Sequence, residues 1–331
     1  MAFSLEFDKS IMKRRFGFLW ILLILLFVGV FCYSGYQLIS ELLQARSEKS
    51  AFSQLASQRQ QALAASAQHA TMDASSMHSD SSQEPESSDS EAPEVQTEPE
   101  EPDDEPLPEY QVFYELNPDF FGWLSIEGTE FDYPVVFTPD RPEYYLRRAF
   151  DGSYSHSGVP FLDTNWNGND AYYLIYGHNM KNGTMFGQLL PYQDAAYQKE
   201  HPVIQFDTLY EHHRYEIVAV FLSRVYYLDE EPQGEFRYYE YLDLPTEEVF
   251  QEFMQQVKQS ALYDTGIEAE YGDSILVLST CNYHTEDGRF VVVAREKQHQ
   301  EKTWPLRFWS GHVFIPPDHA DHTAWPGRRS S

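Results

Sequence analysis

The chain has 331 residues, with 52 acidic and 23 basic side chains and a formal net charge of −29. This charge argues against a nucleic-acid binder, which needs a basic surface. Two cysteines are too few for a disulfide framework, so an ordered domain has to be held by its own core. Aromatic residues make up 16% of the chain, which favours a β-rich core.

The first segment with a clear signal is apolar. Residues 1–15 form a short N-terminal segment that ends in Lys13-Arg14-Arg15, and residues 16–40 carry no charged side chain. This run is long enough to cross the roughly 30 Å of bilayer hydrocarbon as one helix. The basic flank predicts a cytoplasmic N-terminus with the rest of the chain outside. A cleavable signal peptide is the alternative, although its apolar region would be shorter, about 7–15 residues.

Residues 41–109 predict a stalk followed by an acidic, disordered linker. Up to about Ala70 the chain is rich in Gln, Ala and Ser, and it can continue the membrane helix. From Thr71 to Pro108 it is rich in Ser, Glu, Asp and Pro and has few large apolar residues. Such a composition cannot bury enough surface to offset the entropy of the chain. We interpret the segment as a spacer that lifts a domain off the membrane.

Residues 110–296 predict one ordered domain built mainly from short strands. Several runs rich in β-branched and aromatic residues are separated by turn signals, at residues 122–137, 171–179, 203–206 and 215–222. One amphipathic helix begins after Pro245, with Thr246 as its N-cap. Many short strands with few helices indicate a closed β-barrel. Residues 297–331 are polar and then aromatic, and we assign them no role.

The last two predicted strands form an antiparallel hairpin. Two apolar runs, residues 275–278 and 290–293, flank a polar loop that contains Asp287-Gly288, a turn signal. Cys281 then lies where the first strand ends, and Arg289 lies where the second begins. Paired strands are about 4.8 Å apart, so the hairpin brings a thiol and a cation to the same rim of the sheet.

Cys281 is a candidate nucleophile because a free cysteine can act with a histidine that the fold brings close. The alternative is a buried, inert cysteine at a strand end. His178 lies just past the end of the strand predicted within residues 171–179, and it can supply the acid–base group. A thiolate attacks carbonyls, and a cation such as Arg289 stabilises the oxyanion that results. His284, three residues after Cys281, is a rival base in a loop.

The same segments resemble sortases. The run Val277-Leu278-Ser279-Thr280-Cys281, followed by Arg289, is similar to the sortase signature. The run YGHNMKNGTMFGQL, residues 176–189, resembles the histidine motif of class B sortases in particular. The resemblance implies an eight-stranded β-barrel with added helices. It also implies a location outside a Gram-positive cell, with the chain anchored by an N-terminal membrane helix.

The resemblance also implies roles for individual residues. Three are catalytic and three bind substrate: Cys281 as nucleophile, His178 as acid and base, Arg289 as oxyanion group, and Ser279, Thr280 and Leu146 along the substrate groove. Arg295 is six residues beyond Arg289 in the same strand, so it shares a face with Arg289 but lies roughly 20 Å away.

The implied reaction is cleavage of a C-terminal sorting signal after its Thr through a thioacyl-enzyme. The acceptor is an amine of the cell-wall (peptidoglycan) precursor or of a pilin, and the donors are surface proteins or pilins that carry the sorting signal. No cofactor or metal is needed. Two alternatives stay open: a membrane-anchored cysteine protease that only hydrolyses peptides, and a non-catalytic surface protein of the same fold. A non-catalytic protein of this fold does not require a Cys, a His and an Arg together, so the presence of all three argues against it.

Overall fold

A computed structural model describes residues 3–76, 105–226, 234–241 and 243–297. The predicted acidic linker lies largely outside these residues, at 77–104, and nearly all of the C-terminal tail, residues 298–331, also lies outside them. The chain divides into two compact units, Met1–Ser50 and Ala51–Ser331.

The first unit consists of the N-terminal part of helix α1 (Phe3–Ser76). Its large apolar side chains are exposed, among them Leu25, Phe27 and Phe31. Among the described residues, one helical stretch, Leu22–Gln68, is long and apolar enough to cross a membrane.

In the described part of the second unit, eight strands close into a barrel, which confirms the predicted fold. The order around the barrel is β1-β2-β3-β4-β7-β8-β6-β5. Strand β2 pairs with β3 and β4 pairs with β7 in parallel, and the other neighbours are antiparallel. The strands are β1 (Phe120–Ser125), β2 (Asp132–Val136), β3 (Phe161–Leu162), β4 (Tyr172–Tyr176), β5 (Val203–Thr208), β6 (Arg214–Arg224), β7 (Ser274–Cys281) and β8 (Gly288–Glu296).

Side-chain alternation along the strands builds two cores. Even-numbered residues of β7 and β8, such as Leu278 and Val292, join an inner core to which all eight of these strands contribute. Odd-numbered residues, such as Val277 and Val291, join an outer core against the helices. Both faces are buried, so these strands consist of continuous apolar runs rather than an apolar–polar alternation.

Three shorter α-helices accompany the barrel in the described chain: α2 (Pro108–Leu116), α3 (Ala195–Glu200) and α4 (Glu247–Ser260). The predicted N-cap of α4 is confirmed, because the Thr246 side chain accepts a hydrogen bond from the Val249 N–H. The buried stripe of α4, Phe250, Phe253 and Val257, packs into the outer core.

The second unit begins with the part of α1 from Ala51 onward, which packs on the barrel. Arg59 is 6% exposed and donates to the Tyr110 hydroxyl at 2.9 Å, to Asp207 at 3.0 Å and to Asp132 at 3.3 Å. We call these four residues the Arg59 cluster. Two carboxylates surround the buried guanidinium, which satisfies a charge that would otherwise be costly to bury.

Candidate active site

The β7–β8 hairpin places Cys281 directly opposite Arg289, as predicted. Asn282 N–H donates to the Gly288 carbonyl at 2.8 Å, which makes Cys281 and Arg289 a non-hydrogen-bonded antiparallel pair. Side chains of such pairs are the closer ones and point to the same face. The thiol and the guanidinium therefore project together from the outer face at the end of the sheet, where Cys281 is half-buried.

The turn before β8 orients Arg289. Its Nη1 donates to the Gly288 carbonyl at 2.9 Å and to the Asp287 carbonyl at 3.2 Å, and the residue is 3% exposed. Gly288 permits this turn, because a Cβ there would lie 2.3 Å from the Asn282 carbonyl oxygen. Backbone carbonyls carry no net charge, so these two acceptors orient the guanidinium without cancelling its charge.

His178 follows the end of β4 and is held by a backbone carbonyl. Its Nε2 lies 2.8 Å from the Leu146 oxygen. A carbonyl only accepts, so Nε2 carries the hydrogen, and Nδ1 is the nitrogen that gains or loses a proton. Burial lowers the pKa of His178, and the nearby charge of Arg147 lowers this pKa further, whereas the hydrogen bond to Leu146 works in the opposite direction.

The ends of β4 and β7 are joined by three hydrogen bonds. Gly177 N–H donates to the Ser279 carbonyl at 3.2 Å. The Thr280 hydroxyl donates to the Gly177 carbonyl at 2.7 Å. The Asn179 side chain donates to the Cys281 carbonyl at 2.8 Å. These bonds hold the residues on both sides of His178 against the last residues of β7, so the structure brings the histidine segment and Cys281 to one end of the barrel.

The three residues expected to bind substrate lie in the same region. Ser279 is fully buried, and its hydroxyl is 2.7 Å from the Tyr238 hydroxyl. Thr280 is 1% exposed with its hydroxyl on Gly177, and Leu146 supplies the carbonyl that holds His178. The structure thus gives each of them a contact within the protein, and their contact with substrate stays a prediction.

The rival base, His284, lies in the exposed loop after β7. Its Nδ1 is 3.0 Å from the side-chain oxygen of Asn282, two residues before it. In the part of the chain that the structure describes, no group of three or more His, Cys, Asp and Glu side chains is arranged to hold a metal ion.

Sequence reasoning missed two polar residues at this site. Asn179 directly follows His178, and its position just past a strand end was the available signal. Tyr238 has no such signal, because it belongs to the long connection between β6 and β7 and reaches Ser279 only in the folded chain.

Comparisons with known proteins identify the family to which this fold belongs. A family model described as Sortase domain matches residues 124–297. The sortase B of Listeria monocytogenes is 33% identical over 189 residues, which cover 56% of this chain and 72% of that protein.

Two solved structures are also similar. A sortase B from B. anthracis in complex with AAEK2 is 28% identical, with a TM-score of 0.50 over 60% of this chain and 86% of the other. A Staphylococcus aureus sortase B–substrate complex is 24% identical, with a TM-score of 0.51 over 59% and 87% of the two chains, and it supports the fold alone. With Cys281 and Arg289 paired at the barrel rim, these matches show that the chain belongs to the sortase family of cysteine transpeptidases, in class B.

Proposed function

We propose that the chain is a membrane-anchored transpeptidase that cleaves a sorting signal after its Thr and transfers the new carboxyl end to an amine. The observation that carries the proposal is the direct pairing of Cys281 with Arg289 at the barrel rim. The pair combines a nucleophile with a fixed cation for the oxyanion, and His178 follows the neighbouring strand β4.

In the first step the Cys281 thiolate attacks the carbonyl carbon of the substrate Thr. A carbon–sulfur bond forms, and the carbonyl electron pair moves onto oxygen. Arg289 stabilises this oxyanion, and its planar fork offers two parallel donors to one oxygen or to neighbouring oxygens.

In the second step the tetrahedral intermediate collapses and the peptide C–N bond breaks. His178 gives its Nδ1 proton to the departing amine, because Nε2–H is occupied by the Leu146 carbonyl. The product is a thioester on Cys281, and the C-terminal part of the substrate leaves with a neutral amine.

In the third step an acceptor amine attacks the thioester carbonyl. Neutral His178 takes the proton that the amine loses, a new amide bond forms, and the Cys281 thiolate is released. The acceptor is an amine of the cell-wall precursor or a pilin Lys. Water in the same position would give hydrolysis, so the acceptor decides between a transpeptidase and a simple protease.

Anchoring is part of the proposal. Lys13-Arg14-Arg15 precede an apolar helical stretch, which supports an N-terminus in the cytoplasm and a catalytic barrel outside the cell.

The test uses the full chain in detergent and a pool of short peptides, each with one Thr at the cleavage position. Products are separated by mass with and without triglycine as acceptor. We expect an amide of the Thr-ended fragment that grows with triglycine at the expense of the free acid. Free acid alone at every triglycine concentration would support the protease instead, and a Cys281→Ala protein provides the blank.

A further inference from the structure

We infer that Asn179 is a positioning residue that fixes the Cys281 backbone, and thereby its thiol, for reaction. The inference rests on the proposed function for its meaning, although its geometry is independent of the substrate. The Asn179 side-chain nitrogen donates a hydrogen bond of 2.8 Å to the Cys281 carbonyl oxygen. A carbonyl accepts only, which assigns the nitrogen and not the amide oxygen to this contact.

Strand geometry explains why this carbonyl needs a partner. Carbonyls two residues apart along a strand point to the same edge, so the Ser279 and Cys281 carbonyls both face β4. The Gly177 N–H donates to the Ser279 carbonyl. If the parallel pairing continued by its regular step of two residues, the N–H of residue 179 would donate to the Cys281 carbonyl.

The main chain of β4 does not continue that far. Strand β4 ends at Tyr176, and Asn179 instead forms an antiparallel bridge with Met185. The side chain of Asn179 thus makes the hydrogen bond that its own backbone would have made. It extends the hydrogen bonding between β4 and β7 by one position at Cys281, where the end of β7 would otherwise open more readily.

The Asn179 amide is itself held in place. A Cβ on Gly187 would lie only 3.1 Å from the Asn179 side-chain oxygen, so the glycine provides the room that the amide occupies. The Phe186 N–H donates to the His178 carbonyl at 3.0 Å, which fixes the residue before Asn179. One short segment therefore orients both His178 and, through Asn179, Cys281.

Two predicted effects distinguish a residue that positions the Cys281 thiol from a residue that only stabilises the fold. Loss of the amide should lower kcat by up to about 10²-fold, the scale of a misplaced reacting group, with KM unchanged because the substrate groove is intact. Asn179→Asp keeps the shape but places a carboxylate oxygen against the carbonyl. The added negative charge disfavours the thiolate, so the reaction of Cys281 with iodoacetamide should shift to higher pH.

The experiment uses the full chain in detergent with Cys32→Ser in every sample, so that Cys281 is the single thiol. Asn179→Ala and Asn179→Asp are compared with Asn182→Ala, which changes an exposed Asn of the same segment whose side chain contacts Thr184 instead. The readouts are melting temperature, the pH profile of iodoacetamide alkylation, and kcat and KM for one cleaved peptide. We expect Asn182→Ala to match the parent in alkylation and kcat.

A folded Asn179→Asp protein with the alkylation profile and kcat of the parent would overturn the inference. A structural role alone would lower the melting temperature of both Asn179 variants and leave the kcat of the folded Asn179→Ala protein equal to that of the parent, which also counts against the inference. If the parent cleaves no peptide while alkylation still depends on Asn179, the proposed function fails and the positioning role stands. If the Ala variant does not fold, the nearly isosteric Asp variant decides.

Discussion

Arg289 and Arg295 are two buried arginines near opposite ends of strand β8, and their partners differ. Arg295 lies 2.8 Å from Glu216 and 3.5 Å from Asp273, so two carboxylates neutralise its charge. Arg289 instead donates to two backbone carbonyls of the turn before it. A carboxylate cancels a guanidinium charge, whereas a carbonyl only directs it. One end of the strand is thus held by ion pairs, and at the end beside Cys281 the turn backbone orients the guanidinium.

The largest expected effect comes from replacing Arg289. Arg289→Ala should lower kcat by about 10²–10³-fold, the usual cost of removing one oxyanion donor. Arg289→Lys should recover only part of the loss, because it restores the charge without the planar fork. Both variants are measured as the full chain on one cleaved peptide, with separate kcat and KM values. A Lys variant equal to the parent would show that a generic charge suffices.

Replacing Arg295 should lower the stability of the protein rather than its kcat. Arg295→Met leaves the largely buried Asp273 and the half-exposed Glu216 without their cation, which should cost about 1.5–3 kcal/mol of unfolding free energy. Arg295 is six residues from Arg289, or roughly 20 Å along the strand, so kcat should stay near that of the parent. Denaturant unfolding and peptide cleavage on the same preparation make the comparison. A larger kcat loss than in Arg289→Ala would contradict the contrast between the two ends.

A smaller effect concerns His212, which adjoins the Arg59 cluster. Its hydrogen bond to Asp207 raises the pKa of His212, the charges of Asp207 and Glu109 add to that shift, and burial opposes it. The protonated ring therefore adds stability that is fully present below its ordinary pKa of about 6.5 and is lost as pH rises through the raised value.

Melting temperatures of the parent and His212→Gln should differ most at acidic pH and converge above the raised pKa. His201→Gln is the control, because the His201 ring contacts the Glu127 backbone carbonyl rather than a carboxylate. A constant difference between parent and His212→Gln across the pH range would show that protonation of His212 does not contribute.

The hairpin and the barrel could be predicted because their signals are local. The apolar runs of β7 and β8 and the Asp287-Gly288 turn set a register, and that register alone places Cys281 opposite Arg289. Short strands with turn signals then favour a closed or nearly closed barrel, and the family resemblance supplied the number of strands.

The Arg59 cluster and the Asn179 contact could not be predicted, because they are long-range polar contacts. Arg59 belongs to a Gln-, Ala- and Ser-rich stretch that was expected to be a stalk, and its partners are Tyr110, Asp132 and Asp207, between 51 and 148 residues further along the chain. Asn179 reaches Cys281 across 102 residues. Hydrophobic periodicity carries no information about which buried polar groups will meet.

Under the proposed function, Cys281, opposite Arg289, forms the covalent bond to substrate. The full chain is incubated with the pool of Thr-containing peptides, quenched in acid, digested and analysed by mass. We predict a thioester of the Thr-ended fragment on the peptide that carries Cys281, removed by hydroxylamine, together with loss of all cleavage in Cys281→Ala. Cleavage that continues in a folded Cys281→Ala protein, or an acyl group on another residue, would contradict the account.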